Sequence, residues 1–126
     1  MRLQLSLPAA PESVSAARRA AEKALEGGGS PQVAAKLLLM ISELVTNSLR
    51  HAGLSGEDSI GLTVDATPSA IRVEVSDPGP GFDAVHPNHP DLDVGSGWGL
   101  YIVERLASRW GVVRGRPSFV WFEIDA

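Results

Sequence analysis

Apolar and polar residues alternate along Arg2-Leu-Gln-Leu-Ser-Leu7, the period of a strand with one buried face, and the prolines at 8 and 11 end it. The period then becomes helical. Pro11 suits the first helical position, Glu12 and Ser13 the first turn, and Val14, Ala17, Ala21, Ala24 and Leu25 form an apolar stripe that Gly27-Gly-Gly29 stops. Ser30 caps a second helix with Pro31 where a missing N–H costs nothing, and Gly53 supplies its end after Ala52. Leu54 to Asp58 reads as a loop. Ser59 to Ala66 alternates through Ile60, Leu62 and Val64, and Ile71 to Ser76 through Ile71, Val73 and Val75, which predicts an antiparallel hairpin about Thr67-Pro-Ser-Ala70.

Beyond the hairpin the pattern weakens. Asp83 to Val94 holds acids, prolines and His86 and His89 with almost nothing to bury, and the stretch 83–97 is expected to form a lid. Leu100, Val103, Leu106 and Ala107 mark a helix from Trp98 to about Arg109, and Trp110 to Arg114 and Ser118 to Asp125 make a closing hairpin about Gly115-Arg-Pro117. The last strand is apolar on both faces, so it belongs in the sheet interior or under another subunit, which suits a homodimer.

The second helix carries more than a core stripe. At 3.6 residues per turn, Leu37, Ile41, Leu44, Val45, Ser48 and Ala52 share a broad apolar arc. Lys36, Met40, Glu43, Asn47, Arg50 and His51 fall on a narrower stripe, with Glu43 and Asn47 one turn, roughly 6 Å, apart. Taken alone, such a stripe is a solvated face. Two glycine-bearing loops change that reading: Asp77-Pro-Gly-Pro-Gly-Phe82 where a strand ends, and Gly95-Ser-Gly-Trp-Gly-Leu100 where a helix begins.

Composition narrows the function. The 126 residues, 44% hydrophobic and 21% charged, make a single domain (1–126), and no apolar run approaches the roughly 20 residues of a membrane span. Neither that nor the N-terminus suggests membrane insertion or secretion, and a cytoplasmic location is expected. The absence of cysteine excludes disulfides and thiolate metal sites, and a net charge of −4 argues against direct nucleic-acid binding. Neither Lys23 nor Lys36 sits in a P-loop pattern. His86, His89, Asp91 and Asp93 do not make a convincing metal site, because the intervening prolines break any helix that would align the imidazoles.

The loops suit a purine nucleotide. Asp77 stands where a strand runs out, and its carboxylate can accept from the exocyclic amine of adenine, whereas guanine offers an oxygen there. Gly79 and Gly81 let backbone approach the base, although an Asp-Pro-Gly turn by itself explains the same residues. Gly95, Gly97 and Gly99 lead into a helix whose free amides can face phosphate oxygens. Without a phosphate-loop lysine, Mg²⁺ would neutralise the triphosphate, with Asn47 as an oxygen ligand. Glu43 is then placed to act as general base toward a hydroxyl, unless it merely pairs with Lys36 or Arg50. His51 fits a helix-end or phosphate-side contact better than a phosphoacceptor.

Together these residues resemble a known set. Glu43-x-x-x-Asn47 with His51-Ala52 is similar to the N box, Asp77-Pro-Gly79-Pro-Gly81-Phe82 to the first glycine box, and Gly95-Ser96-Gly97-Trp98-Gly99-Leu100 to the second, of the GHKL ATPase superfamily. The order of elements resembles the short anti-sigma factor serine/threonine protein kinases, and Trp110-Gly and Val120-Trp-Phe-Glu123 resemble small actinobacterial members.

The resemblance implies a Bergerat-type α+β two-layer sandwich, a mixed, mostly antiparallel sheet with three helices on one face. It implies ATP and Mg²⁺ as ligands, Glu43 as the catalytic residue and Asn47 on the metal. The nucleotide would lie against Asn47, Arg50, His51, Asp77, Gly79, Gly81, Phe82, Gly95, Ser96, Gly97, Trp98, Gly99, Leu100 and Ser118. Its protein partners would be a serine-bearing anti-anti-sigma (STAS) protein and a competing sigma factor. The closing hairpin departs from the family in having Ser118-Phe119 where two threonines are common. A non-catalytic, ATP-gated binding module and a relative of sensor histidine kinase catalytic domains are the competing readings.

Overall fold

The computed structural model describes residues 1–26, 29–51, 55, 57–79, 98–115 and 117–125. In chain order these form β1 (Arg2–Pro8), α1 (Glu12–Ala24), α2 (Pro31–His51), β2 (Ser59–Ala66), β3 (Ala70–Asp77), α3 (Trp98–Leu106), β4 (Arg109–Val113) and β5 (Ser118–Asp125). The strands make one five-stranded sheet in the order β1-β2-β3-β5-β4. Every pairing among the described residues is antiparallel, where the resemblance implies a mixed, mostly antiparallel sheet. The reason lies in β5, which returns between β3 and β4 and so separates the two strands that point the same way.

Register decides which side chains meet. Leu5, Leu62, Val75, Val120 and Val112 stand opposite one another across the five strands, and Leu3, Val64, Val73, Phe122 and Trp110 form the next row. These rows share one core with Leu37, Ile41, Leu44 and Val45 of α2, Ala17 and Ala21 of α1, and Leu100 and Val103 of α3. The three helices therefore cover one face of the sheet, as the alternating strands and 3.6-residue stripes require. Phe122, fully buried on β5, is the largest side chain at the centre, and truncating such a residue costs about 3–5 kcal/mol.

Local chemistry sets the helix ends. The Ser30 hydroxyl accepts from the Val33 amide at 3.1 Å, the cap that its position before Pro31 predicts. α1 stops at Ala24, ahead of the glycine triplet, and α3 stops at Leu106, short of the expected Arg109. One residue of α2 departs from expectation: Met40, assigned to the polar stripe, is fully buried, while Leu39 is 45% exposed. Met40 is only about 60° around the helix from Leu37 and about 40° from Leu44, so a flexible apolar side chain there turns inward. Gly53 and the lid at 83–97 lie outside the described residues.

β5 is an interior strand, one of the two expected placements. Its apolar outer position Trp121 is covered without a second subunit: the Arg72 guanidinium lies 4.4 Å from the ring centroid. The indole also crosses Gly111 so closely that a Cβ there would meet Trp121 Nε1 at 2.7 Å.

Candidate functional site

The inner row of side chains at one end of the sheet turns polar. Ser118 is opposite Asp77 in the β3–β5 pairing, and both lie one alternation beyond the buried Val75 and Val120. Three neutral donors reach the Asp77 carboxylate. Ser48 Oγ of α2 donates to Oδ2 at 2.7 Å, the Gly79 amide donates to Oδ1 at 2.8 Å, and Ser118 Oγ is 3.5 Å from Oδ1. Among the described residues, no cation bonds to Asp77.

A carboxylate accepts at about four positions and donates at none, so these three contacts, two on Oδ1 and one on Oδ2, leave lone-pair capacity on Oδ2. Its charge remains uncompensated at a place that helix, strand and loop all fix. An amine or an N–H edge is the complementary ligand, which is the role anticipated for Asp77 and Gly79. An open cleft of about 490 Å³ borders Asp77 and Pro78, with Glu57, Asp58 and Pro117 on its rim. A second cavity, of about 550 Å³, is lined by Leu25, Val33, Pro68 and Ile71 and by none of the candidate nucleotide-site residues. Polar convergence rather than volume identifies the candidate site.

Ser48 was assigned to the core arc of α2 and not to the site. It is 7% exposed, so a bonding partner was required, and that requirement was the available signal. Other hydroxyls of the helix bond locally: Ser42 Oγ donates to the Leu38 carbonyl and Thr46 Oγ1 to the Ser42 carbonyl. Ser48 instead reaches across to the sheet.

The bond anchors α2 beside the Glu43–Asn47 stripe. Asn47 directly precedes Ser48, Glu43 is one turn earlier, and both are partly buried. Glu43 forms no ion pair with Lys36 or Arg50 among the described residues, so the surface-pair explanation of its position is not observed. Arg50 is exposed, and His51 is the last residue of α2. Trp98 and Gly99 open α3, and Leu100, 8% exposed, packs into the core and docks the helix there. Gly81, Phe82, Gly95, Ser96 and Gly97 lie outside the described residues, as does the His86–Asp93 segment.

Residues 7–118 match the family model described as the histidine kinase-like ATPase domain. The chain belongs to that family. Within it, the chain is 33% identical over 118 residues to the serine-protein kinase RsbW of Listeria monocytogenes serovar 1/2a (strain ATCC BAA-679 / EGD-e), covering 83% of this chain and 74% of that protein. It is 38% identical over 85 residues to the serine-protein kinase RsbW of serotype 4a (strain HCC23), covering 65% of this chain. In that alignment this chain spans 54%, about half, of the relative's length.

Solved structures agree on the fold. The RsbU and RsbW domains of Rv1364c from Mycobacterium tuberculosis superpose with a TM-score of 0.76 at 20% identity, over 98% of this chain and 32% of that one. The histidine kinase domain of the Erythrobacter litoralis EL346 blue-light activated histidine kinase gives a TM-score of 0.58 at 23% identity, over 93% of this chain and 60% of that one. The ATPase-domain family thus accounts for the helix-covered sheet.

Proposed function

We propose that this domain binds ATP at the Asp77 end of the sheet and transfers its γ-phosphoryl group to a serine of an anti-anti-sigma partner of the STAS type. The same domain sequesters a sigma factor, with the nucleotide state biasing the choice of partner. The single observation that carries this reading is the Asp77 carboxylate, held by Ser48, Gly79 and Ser118 on the helix side of the sheet and bonded to no cation among the described residues. Its lone pairs match the 6-amino group of adenine. The names of the relatives, serine-protein kinase RsbW, support phosphoryl transfer to serine.

Asn47 would hold Mg²⁺ through its amide oxygen, and the ion when bound would offset triphosphate charge that no lysine of a phosphate loop meets. Glu43, one turn away and in no ion pair among the described residues, accepts the proton of the substrate serine. As the serine Oγ–P bond forms, the bond between the γ-phosphorus and the β,γ-bridging oxygen breaks, and ADP leaves. Phe119 and the 41% exposed Val113, paired on neighbouring strands, form an apolar strip that supports self-association as a further contact. Among the described residues, no helix is long and apolar enough to cross a membrane.

The test is transfer of radiolabel from γ-labelled ATP to the STAS proteins of the same genome. Glu43→Ala is expected to keep ATP affinity within about threefold while transfer falls roughly 10²–10⁴-fold. Equal transfer by variant and parent removes Glu43 as base. ATP binding without any transfer by the parent favours the ATP-gated binding module.

A further inference from the structure

We infer that Ser48 is a specificity-determining residue, which restricts the purine subsite to 6-amino bases by locking Asp77 as one side of an acceptor-only wall. The inference rests on the proposed adenine role of Asp77 and assigns a new role to a residue placed in the core by its pattern.

The two carboxylate oxygens are held by different parts of the molecule. Oδ1 is fixed locally, by the Gly79 amide two residues on, with Ser118 at the limit of bonding distance. Oδ2 is fixed from α2 by Ser48 alone among the described residues. The terminal torsion of an aspartate is broad, so a local bond to one oxygen does not define the carboxylate plane. The Ser48 bond, at 2.7 Å from a residue 7% exposed, does.

The direction of that bond has a chemical consequence. An ionised carboxylate only accepts, so the Ser48 hydroxyl proton is committed to Asp77 and the lone pairs of Oγ remain on offer. Asp77 Oδ2 and Ser48 Oγ then present acceptors side by side. A 6-amino group, with two N–H donors, satisfies such a wall. A 6-oxo group brings another acceptor and finds no proton there, leaving buried acceptors unpaired. Without Ser48, Asp77 can rotate, and the second acceptor is gone.

The experiment compares binding of ATP, GTP and purine riboside 5′-triphosphate, which lacks a 6-substituent, to the full chain by calorimetry. Ser48→Ala is expected to weaken ATP about tenfold, to change the 6-unsubstituted analogue by less than about twofold, and to lower the ATP-over-GTP preference about tenfold. Ser48→Thr, which keeps the hydroxyl, is expected to restore the preference. Should the alanine variant not fold, Ser48→Cys, whose thiol is a weak donor of similar size, is expected to lose part of the preference.

Equal losses for ATP and the unsubstituted analogue reduce Ser48 to a structural residue and overturn the inference. A parent that prefers ATP, with a variant of unchanged preference, also overturns it but leaves the Asp77 reading standing. A parent that binds ATP and GTP alike overturns both.

Discussion

Two polar clusters are built on the same central strands, and they treat charge in opposite ways. On the outer face, Asp65, Arg72, Glu123 and Arg109 stand in one row across β2, β3, β5 and β4. Arg72 pairs with Glu74 and Glu123, each at 3.1 Å, while Arg109 pairs with Glu123 at 2.7 Å and Asp125 at 2.9 Å. At the end of the inner face, Asp77 meets two hydroxyls and an amide. The first arrangement matches acids with cations and staples neighbouring strands. The second fixes a charge in place with no cation among the described residues, the feature on which the proposed ligand role rests.

The largest test of this contrast is Asp77→Ala. Its ATP affinity is expected to fall at least about 100-fold by calorimetry, since a charge-assisted contact is lost and the ligand amine is left unmatched. Circular dichroism is expected to show the parent's secondary structure, because the core rows do not depend on Asp77. Undiminished affinity would take the adenine role from the inner cluster and leave the two clusters as equivalent structural devices.

A smaller effect is expected from the outer cluster. Arg72→Ala removes two partly buried ion pairs and the cover over Trp121, together about 1 kcal/mol in urea unfolding. ATP affinity is expected to stay within about twofold. A loss of ATP affinity matching that of Asp77→Ala would show that the two faces are coupled and break the distinction.

Much of this was legible in the chain because period and position carry the information. The alternation through Ile60, Leu62 and Val64 and through Ile71, Val73 and Val75 gives the buried face, and the end of that alternation puts Asp77 at the edge of the core. What could not be read depends on pairing across distance. Ser48 and Asp77 are 29 residues apart, and nothing in the local pattern of α2 says which strand end its buried hydroxyl will reach. Met40 shows the same limit, since its border position on the helix wheel is resolved only by what packs beside it. The antiparallel character of the whole sheet likewise follows from where β5 inserts, a choice made by the complete fold.

The smallest expected effect sharpens the comparison through pH. Hydrogen bonds from Arg109 and then Arg72 lower the Glu123 pKa from its ordinary value, outweighing the opposing effect of desolvation. A carboxylate whose folded pKa is depressed contributes stability above its unfolded value, and that contribution fades as pH falls through the folded one. Glu123 therefore stabilises the sheet at neutral pH and stops doing so in acid, below about pH 4. Arg109, held above its already high ordinary value by Glu123 and Asp125, stays charged throughout that window and adds no slope of its own. Glu123→Gln is expected to lower Tm by a few degrees at pH 7, and the gap to the parent is expected to narrow as acid protonates the parent carboxylate. A constant gap between the two melting curves from pH 7 to pH 3 would mean that Glu123 acts by packing over the sheet and not by charge, and the outer cluster would then lose its standing as an electrostatic staple.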